Sequence, residues 1–323
     1  MTIQDSQPVA DVVPAGDQHS FYPRIAWRYK LDTVFASFTW LATVIAILVL
    51  LVLIIDVIYV GSPRLFGDDG GIPFIREQDF LWSLPSRKAE QAGIKSALVG
   101  SIWLLILTAL MSFPIGVASG IFLEEFAADT WYAKAIEVNI GNLAAVPAII
   151  YGLLGLTVFV NILRPITGDS SVLSGALTMT VLILPIIIVA TRESLRAVPN
   201  SLRQAGYALG ANTWQVTWYH VLPQAMPGVL TGTILALSRA IGEASPLLVV
   251  GAAVYIPFLP EMSLKGLQSD FTALPIQIFN WASRPQKEFE VTAAAGIVVL
   301  LVVLLAMNAS AIYLRNRLQK NQL

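Results

Sequence analysis

The chain has 323 residues, 56% of them hydrophobic and 13% charged, with a mean hydropathy of +0.69. That is too apolar for a soluble domain of this length and reads as an integral membrane protein with little mass outside the bilayer. A formal net charge of −1, no cysteine and two isolated histidines, His19 and His220, argue against nucleic-acid binding, thiol chemistry and a zinc or haem centre.

Residues 1–30 are polar at first, contain Pro, Gly and Asp, and read as a disordered cytoplasmic tail. They lack the pattern of a cleavable leader, so the first apolar stretch is expected to stay in the protein. Residues 31–323 read as one transmembrane domain without internal repeats. A spanning helix needs about 20 mostly apolar residues. Candidate spans fall at 33–60, 96–122, 136–160, 172–191, 227–254 and 291–314. The predicted class is therefore all-α and polytopic, with about six transmembrane helices.

An even count puts both termini on one side. Arg24, Arg28 and Lys30 before the first span, Arg315, Arg317 and Lys320 after the last, and Arg192, Arg196 and Arg203 in the fourth connection make that side cytoplasmic. Two connections run against the rule. The first, outside by parity, carries Arg64, Arg76, Arg87, Lys88 and Lys95, and the second, inside, surrounds Lys134 with Glu124, Glu125, Asp129 and Glu137. Glu124 and Glu125 end a span, where acids oppose the helix macrodipole, so a compensating partner is expected there and no transport role. The long outside segments are 61–95 and 255–290. The second contains the aromatic run 274–281, expected at headgroup level.

Within the spans, Gly116–Gly120 and Gly228–Gly232 permit close helix contact, expected within the chain itself. Asn139 and Asn142, near the start of the third span, either line a polar path or make interhelical hydrogen bonds. The fourth connection, near 192–226, is unlike the rest. Pro199, Asn200 and Ser201 signal a helix start, and Ser201 with Gln204 matches an S-x-x-Q capping box. Leu202, Ala205 and Leu209 fall at helical spacing on one face. Gly210 supplies a left-handed stop, and Asn212 with Gln215 suits the cap of a second short helix, which Pro223 closes. Such a polar hairpin is either an ordinary amphipathic loop or a docking handle for another protein.

Arg239 and Glu243 lie inside the fifth span, four residues apart and so on one face. A charge near the bilayer centre costs about 2.5–3.5 kcal/mol, so this face should meet the bundle interior or a water-filled path. The pair is either a structural tie or a functional site. Arg preceding Glu is the weaker order for a helical pair, which counts against the tie. A guanidinium fork suits anionic oxygens, and Arg239 reads as a transient anion relay with Glu243 as its counter-charge. Pro246 cannot bond the Gly242 carbonyl, so the helix should bend there. Gly242 and Pro246 are accordingly a hinge or a static kink. No G-x-x-x-x-G-K-[ST] segment and no nucleophile–base constellation occur, so the chain is expected to be no enzyme and to take its energy from elsewhere.

Gln204-Ala205-Gly206, Gly210 and Leu222-Pro223 resemble the EAA loop of ABC-importer permeases, with departures at Gln204, Gly206 and His220. The segments 193–246, 122–126, 144–152 and 274–285 are similar to the phosphate-transport permeases, and 239–248 looks like the PstA-type subunit. The resemblance implies a type I ABC-importer permease fold in the plasma (inner) membrane, both termini cytoplasmic. It implies a PstC-type sister permease, a PstB-type ATPase dimer, an external phosphate-binding protein, inorganic phosphate as substrate and surrounding membrane lipid. ATP and Mg would belong to the ATPase subunits, with no cofactor on this chain. Arg239, Glu243, Asn142 and Ser245 would line the path, and Ser201, Gln204, Ala205, Gly206, Gly210, Leu222 and Pro223 would couple to the ATPase. The alternatives are an importer of molybdate, sulfate or phosphonate, and a stand-alone secondary transporter.

Overall fold

Helix follows helix along the chain, and among the described residues the one strand-like pairing is a single bridge between Ser171 and Asp270. The computed structural model describes residues 25–66, 80–127, 130–253, 255–259, 263 and 265–320. The tail expected over 1–30 lies outside them up to residue 24. Residues 25–30 are already helical.

Helix α1 (Ile25–Phe66) overruns the predicted 33–60 at both ends and carries Pro63 in its last turn. Residues 25–54 form a unit of their own. Its apolar side chains are exposed all round. The hydroxyls of Thr33, Ser37, Thr39 and Thr43 bond carbonyls four residues back, which satisfies them without water.

The second unit holds the rest. Helix α2 (Lys95–Ile121) ends in a widened π turn, Phe122–Phe126. Then come α3 (Trp131–Ala144), α4 (Ala148–Gly155) with its π extension Leu156–Ile162, and α5 (Arg164–Thr167). Helices α6 (Val172–Arg196), α7 (Asn200–Ala208) and α8 (Thr213–Val216) follow, and a π turn, Thr217–Val221, runs into α9 (Leu222–Gly242). The series closes with α10 (Ser245–Val250), α11 (Leu274–Ala282) and α12 (Glu288–Lys320). Among the described residues, five helical stretches are long and apolar enough to cross a bilayer, and α3 with α4 makes a sixth if that pair is one broken span.

Helix α6 is the pillar of the bundle, packed along both α2 and α9. The two glycine pairs explain how. A methyl at Gly116 would meet Ile187 at 2.6 Å, and one at Gly120 would meet Thr191 at 2.7 Å. From α9, Gly228 would meet Ser194 at 2.6 Å and Gly232 would meet Ala190 at 2.3 Å. Both pairs thus serve packing inside this chain, as expected.

Two segments take forms that the sequence left open. The third span is not straight: α3 and α4 meet at 103°. Pro147 disfavours helical geometry at the residue before it, and the Tyr151 hydroxyl, donating to the Leu143 carbonyl at 2.7 Å, braces the bend. The aromatic run 274–281, expected at headgroup level, packs largely into the protein. It forms α11, with Leu274, Ile276 and Trp281 buried against α12 and α2. Trp281 is 1% exposed and meets Phe80 at 5.7 Å, and the Leu274 N–H finds the Ser101 hydroxyl at 2.8 Å. An apolar aromatic run has the same composition in a core as at an interface, so only its partners distinguish them.

Candidate functional site

The hairpin between α6 and α9 forms as two helices turned by Gly210, whose φ is +80°. The Gly210 N–H bonds the Tyr207 carbonyl and the Ala211 N–H bonds that of Gly206, the double closure of a Schellman stop. The second helix is capped as predicted: Asn212 Oδ1 accepts from the Gln215 N–H at 2.8 Å, and Gln215 Oε1 accepts from the Asn212 N–H at 2.9 Å.

The first cap differs from expectation. Pro199, at φ −58° and ψ 136°, is the boundary residue, and no side chain caps the helix. Helical geometry starts at Asn200, so Ser201 already lies within the first turn and the Ser201–Gln204 box does not form. The expected face divides too. Leu202 packs on the core while Ala205 and Leu209 point outward, Leu209 being 88% exposed. The inward face is half-buried Leu202 and Arg203 with buried Gly206. A methyl on Gly206 would come 2.8 Å from Val216 Cγ2, which accounts for glycine at this point of the loop. Ser201, Gln204 and Ala205 stay exposed, an accessible polar ridge. Pro223 does not end the second helix. The π turn before it shifts the hydrogen-bond ladder, and Pro223 sits in the first turn of α9, where a missing N–H costs little. The helix therefore continues into the membrane from buried Leu222.

Beneath the hairpin lies a cluster that the sequence pointed to only from one side. The partners expected for Glu124 and Glu125 are arginines. Arg192 reaches Glu124 at 3.3 Å and Glu137 at 3.0 Å, and Arg196 reaches the same two acids at 2.9 and 3.3 Å. Arg203 holds Glu125 at 2.6 Å. Acids at the α2 terminus and bases at the α6 terminus neutralise each other, which resolves the anomalous acidity of the second connection.

The Arg239–Glu243 pair sits where a helix ends. Arg239 Nε is 3.4 Å from Glu243 Oε1, a loose contact, and the two side chains are 48% and 26% exposed. Glu243 has extended backbone, φ −86° and ψ 110°, and α10 begins anew at Ser245. The expected bend is thus a break. Pro246 lies in the first turn of α10, where its absent N–H is no loss, and it packs against Gly152 of α4. Gly242 faces open space. Ser245 lies beside the break. Asn142 is exposed on α3, and among the described residues no hydrogen bond joins it to Arg239 or Glu243. Asn139 donates to the Ala135 carbonyl of its own helix, at 2.7 Å.

The geometry is that of a polar hairpin rooted in a helical bundle with one charged face open to its surroundings. The family of binding-protein-dependent transport system inner membrane components matches residues 112–320. The chain belongs to this family. The permease is 31% identical over 251 residues to the probable ABC transporter permease protein YqgI of Bacillus subtilis, covering 75% of this chain and 84% of that protein. It is 30% identical over 250 residues to the phosphate transport system permease protein PstA of Xylella fastidiosa, covering 77% and 84%. Its fold matches a chain of the bacterial alginate ABC transporter in complex with its alginate pentasaccharide-bound periplasmic protein, with a TM-score of 0.63 at 16% identity over 92% of this chain and 99% of that one. An all-α ABC-importer permease embedded in the inner membrane follows from these matches.

Proposed function

We propose that this permease forms half of the translocation path of an ATP-driven phosphate importer. The observation that carries it is Arg239, a guanidinium half-open at a helix break inside a spanning helix, in a chain whose relatives include phosphate transport permeases. A guanidinium fork gives two parallel donors to a phosphate, and the loose contact with Glu243 leaves those donors available. Glu243 competes for Arg239 once the anion has moved on, which favours release over retention. The open charged face is where a PstC-type sister permease completes the path, with Ser245 beside it and Asn142 on another helix.

The exposed Ser201, Gln204 and Ala205, presented by the Gly206 and Gly210 turn and anchored at Leu222 and Pro223, form the dock for one subunit of a PstB-type ATPase dimer, which carries the ATP and Mg. A phosphate-binding protein delivers the ion from outside, and both termini face the cytoplasm. The permease itself performs no covalent chemistry.

The test is uptake of labelled phosphate by vesicles holding the complete complex, with ATP supplied to the ATPase side. Phosphate should compete with the label, and sulfate, molybdate and phosphonate should not. Arg239→Gln should abolish uptake while the ATPase subunits still co-purify. Normal uptake by that variant would end the relay role, and preferential competition by another oxyanion would reassign the substrate.

A further inference from the structure

The arginine cluster beneath the hairpin contains two sheltered pairs, Arg192–Glu124 and Arg203–Glu125, and of these only the second has its arginine on α7. Glu125 is 5% exposed and Arg203 14%, whereas Arg196 and Glu137 are both more than 40% exposed. Arg203 offers two hydrogen bonds to Glu125, from Nη2 at 2.6 Å and from Nε at 3.3 Å. Its remaining donors reach the Leu195 carbonyl at 2.9 Å, the Val198 carbonyl at 2.8 Å and Asn200 Oδ1 at 3.3 Å. One side chain of α7 therefore fastens the end of α2, the end of α6 and its own helix start.

The placement matters mechanically. The hairpin is joined to α6 through residues 197–199 alone, a non-helical link that includes Pro199. At its other end the hairpin runs unbroken through α8 into α9, and Leu202 and Val216 pack on the core, so the link at 197–199 is where α7 could turn against α6. The Phe126–Trp214 ring contact, at 6.1 Å between centroids, bridges α2 and α8, but an apolar contact of this kind can slide. The two-pronged ion pair has a fixed direction and sheltered surroundings, so it resists rotation. We propose that Arg203 and Glu125 lock the docking hairpin to the α2–α6 body as a rigid lever, so that movement of the ATPase displaces the spans instead of turning the hairpin. They are positioning residues that touch neither anion nor nucleotide. The inference rests on the importer reading above.

The signature of a lost lever is uncoupling: ATP is still hydrolysed but fewer anions cross. The experiment uses the complete complex with its binding protein in vesicles and measures phosphate taken up per ATP hydrolysed. The variants are Glu125→Arg, Arg203→Glu, the double exchange, and Glu125→Gln, which keeps an acceptor oxygen without the charge. Each reversal should retain the ATPase subunits and lower the ratio by about tenfold or more, because each leaves a sheltered charge facing its like. Glu125→Gln should fall between, and the double exchange should return to within about threefold of the unaltered complex. An unchanged ratio in the reversals overturns the proposal, as does a double exchange no better than the worse single variant. Loss of the ATPase subunits from both reversals and from Glu125→Gln also overturns it, assigning the pair to assembly. Failure of the unaltered complex to take up phosphate with ATP would instead remove the importer reading and this inference with it.

Discussion

Gly232→Ala measures how tight the seam between α6 and α9 is. The added Cβ would lie 2.3 Å from the Ala190 Cβ, and the next atom, the Ala190 Cα, is 3.6 Å away. Nonbonded carbons rest about 3.5–4.0 Å apart, so the helices must part locally by roughly 1.2–1.7 Å. Overpacking of this sort costs about 1–3 kcal/mol, while the helix preference for Ala over Gly recovers about 1 kcal/mol, leaving a net loss of about 0–2 kcal/mol. Ala190→Gly removes the opposing methyl and loses about 1 kcal/mol of helix preference on its own. Making both changes exchanges the two residues, so the preferences cancel and the collision disappears. The double variant should then match the unaltered chain, with a coupling energy equal to the steric part, about 1–3 kcal/mol. Unfolding of all four proteins in detergent, followed by tryptophan fluorescence, gives the cycle. Additive effects in the double variant would refute the packing geometry.

Three further outcomes are expected. Gly206→Ala pushes α7 off α8 through Val216 and should weaken co-purification of the ATPase subunit; Val216→Ala in the same chain should restore it. Tyr151→Phe removes the hydrogen bond across the α3–α4 bend and should cost about 1 kcal/mol by thermal unfolding, with a wider distance distribution between spin labels on the two helices. Pro246→Ala should leave the α9–α10 break in place, because packing on Gly152 holds it; spin labels on the two helices reporting one continuous helix would contradict that.

Features held by neighbours in sequence were legible in advance. Gly210 and the Asn212–Gln215 cap rest on bonds spanning five residues or fewer, and both formed as expected. The Ser201–Gln204 cap failed even at that range because the helix boundary lies two residues earlier, at Pro199. Arg239 and Glu243 were visible as a pair, since charges stand out in an apolar run. The break between them and α10 was not, because a proline reads alike as a kink within one helix or as the first turn of the next. Arg203 and Glu125 stand 78 residues apart. Their only prior trace was two acids at a helix end that required compensation.

Composition and apolar run length alone determined that this is a helical membrane protein, because a bilayer leaves each backbone polar group to be satisfied within its own segment. The same logic located the polar hairpin and the charged pair. Only the tertiary structure decided that α11 is buried, that the third span is sharply bent, and which arginine meets which acid. Those choices depend on contacts between distant segments, where many partners are chemically equivalent and packing selects one.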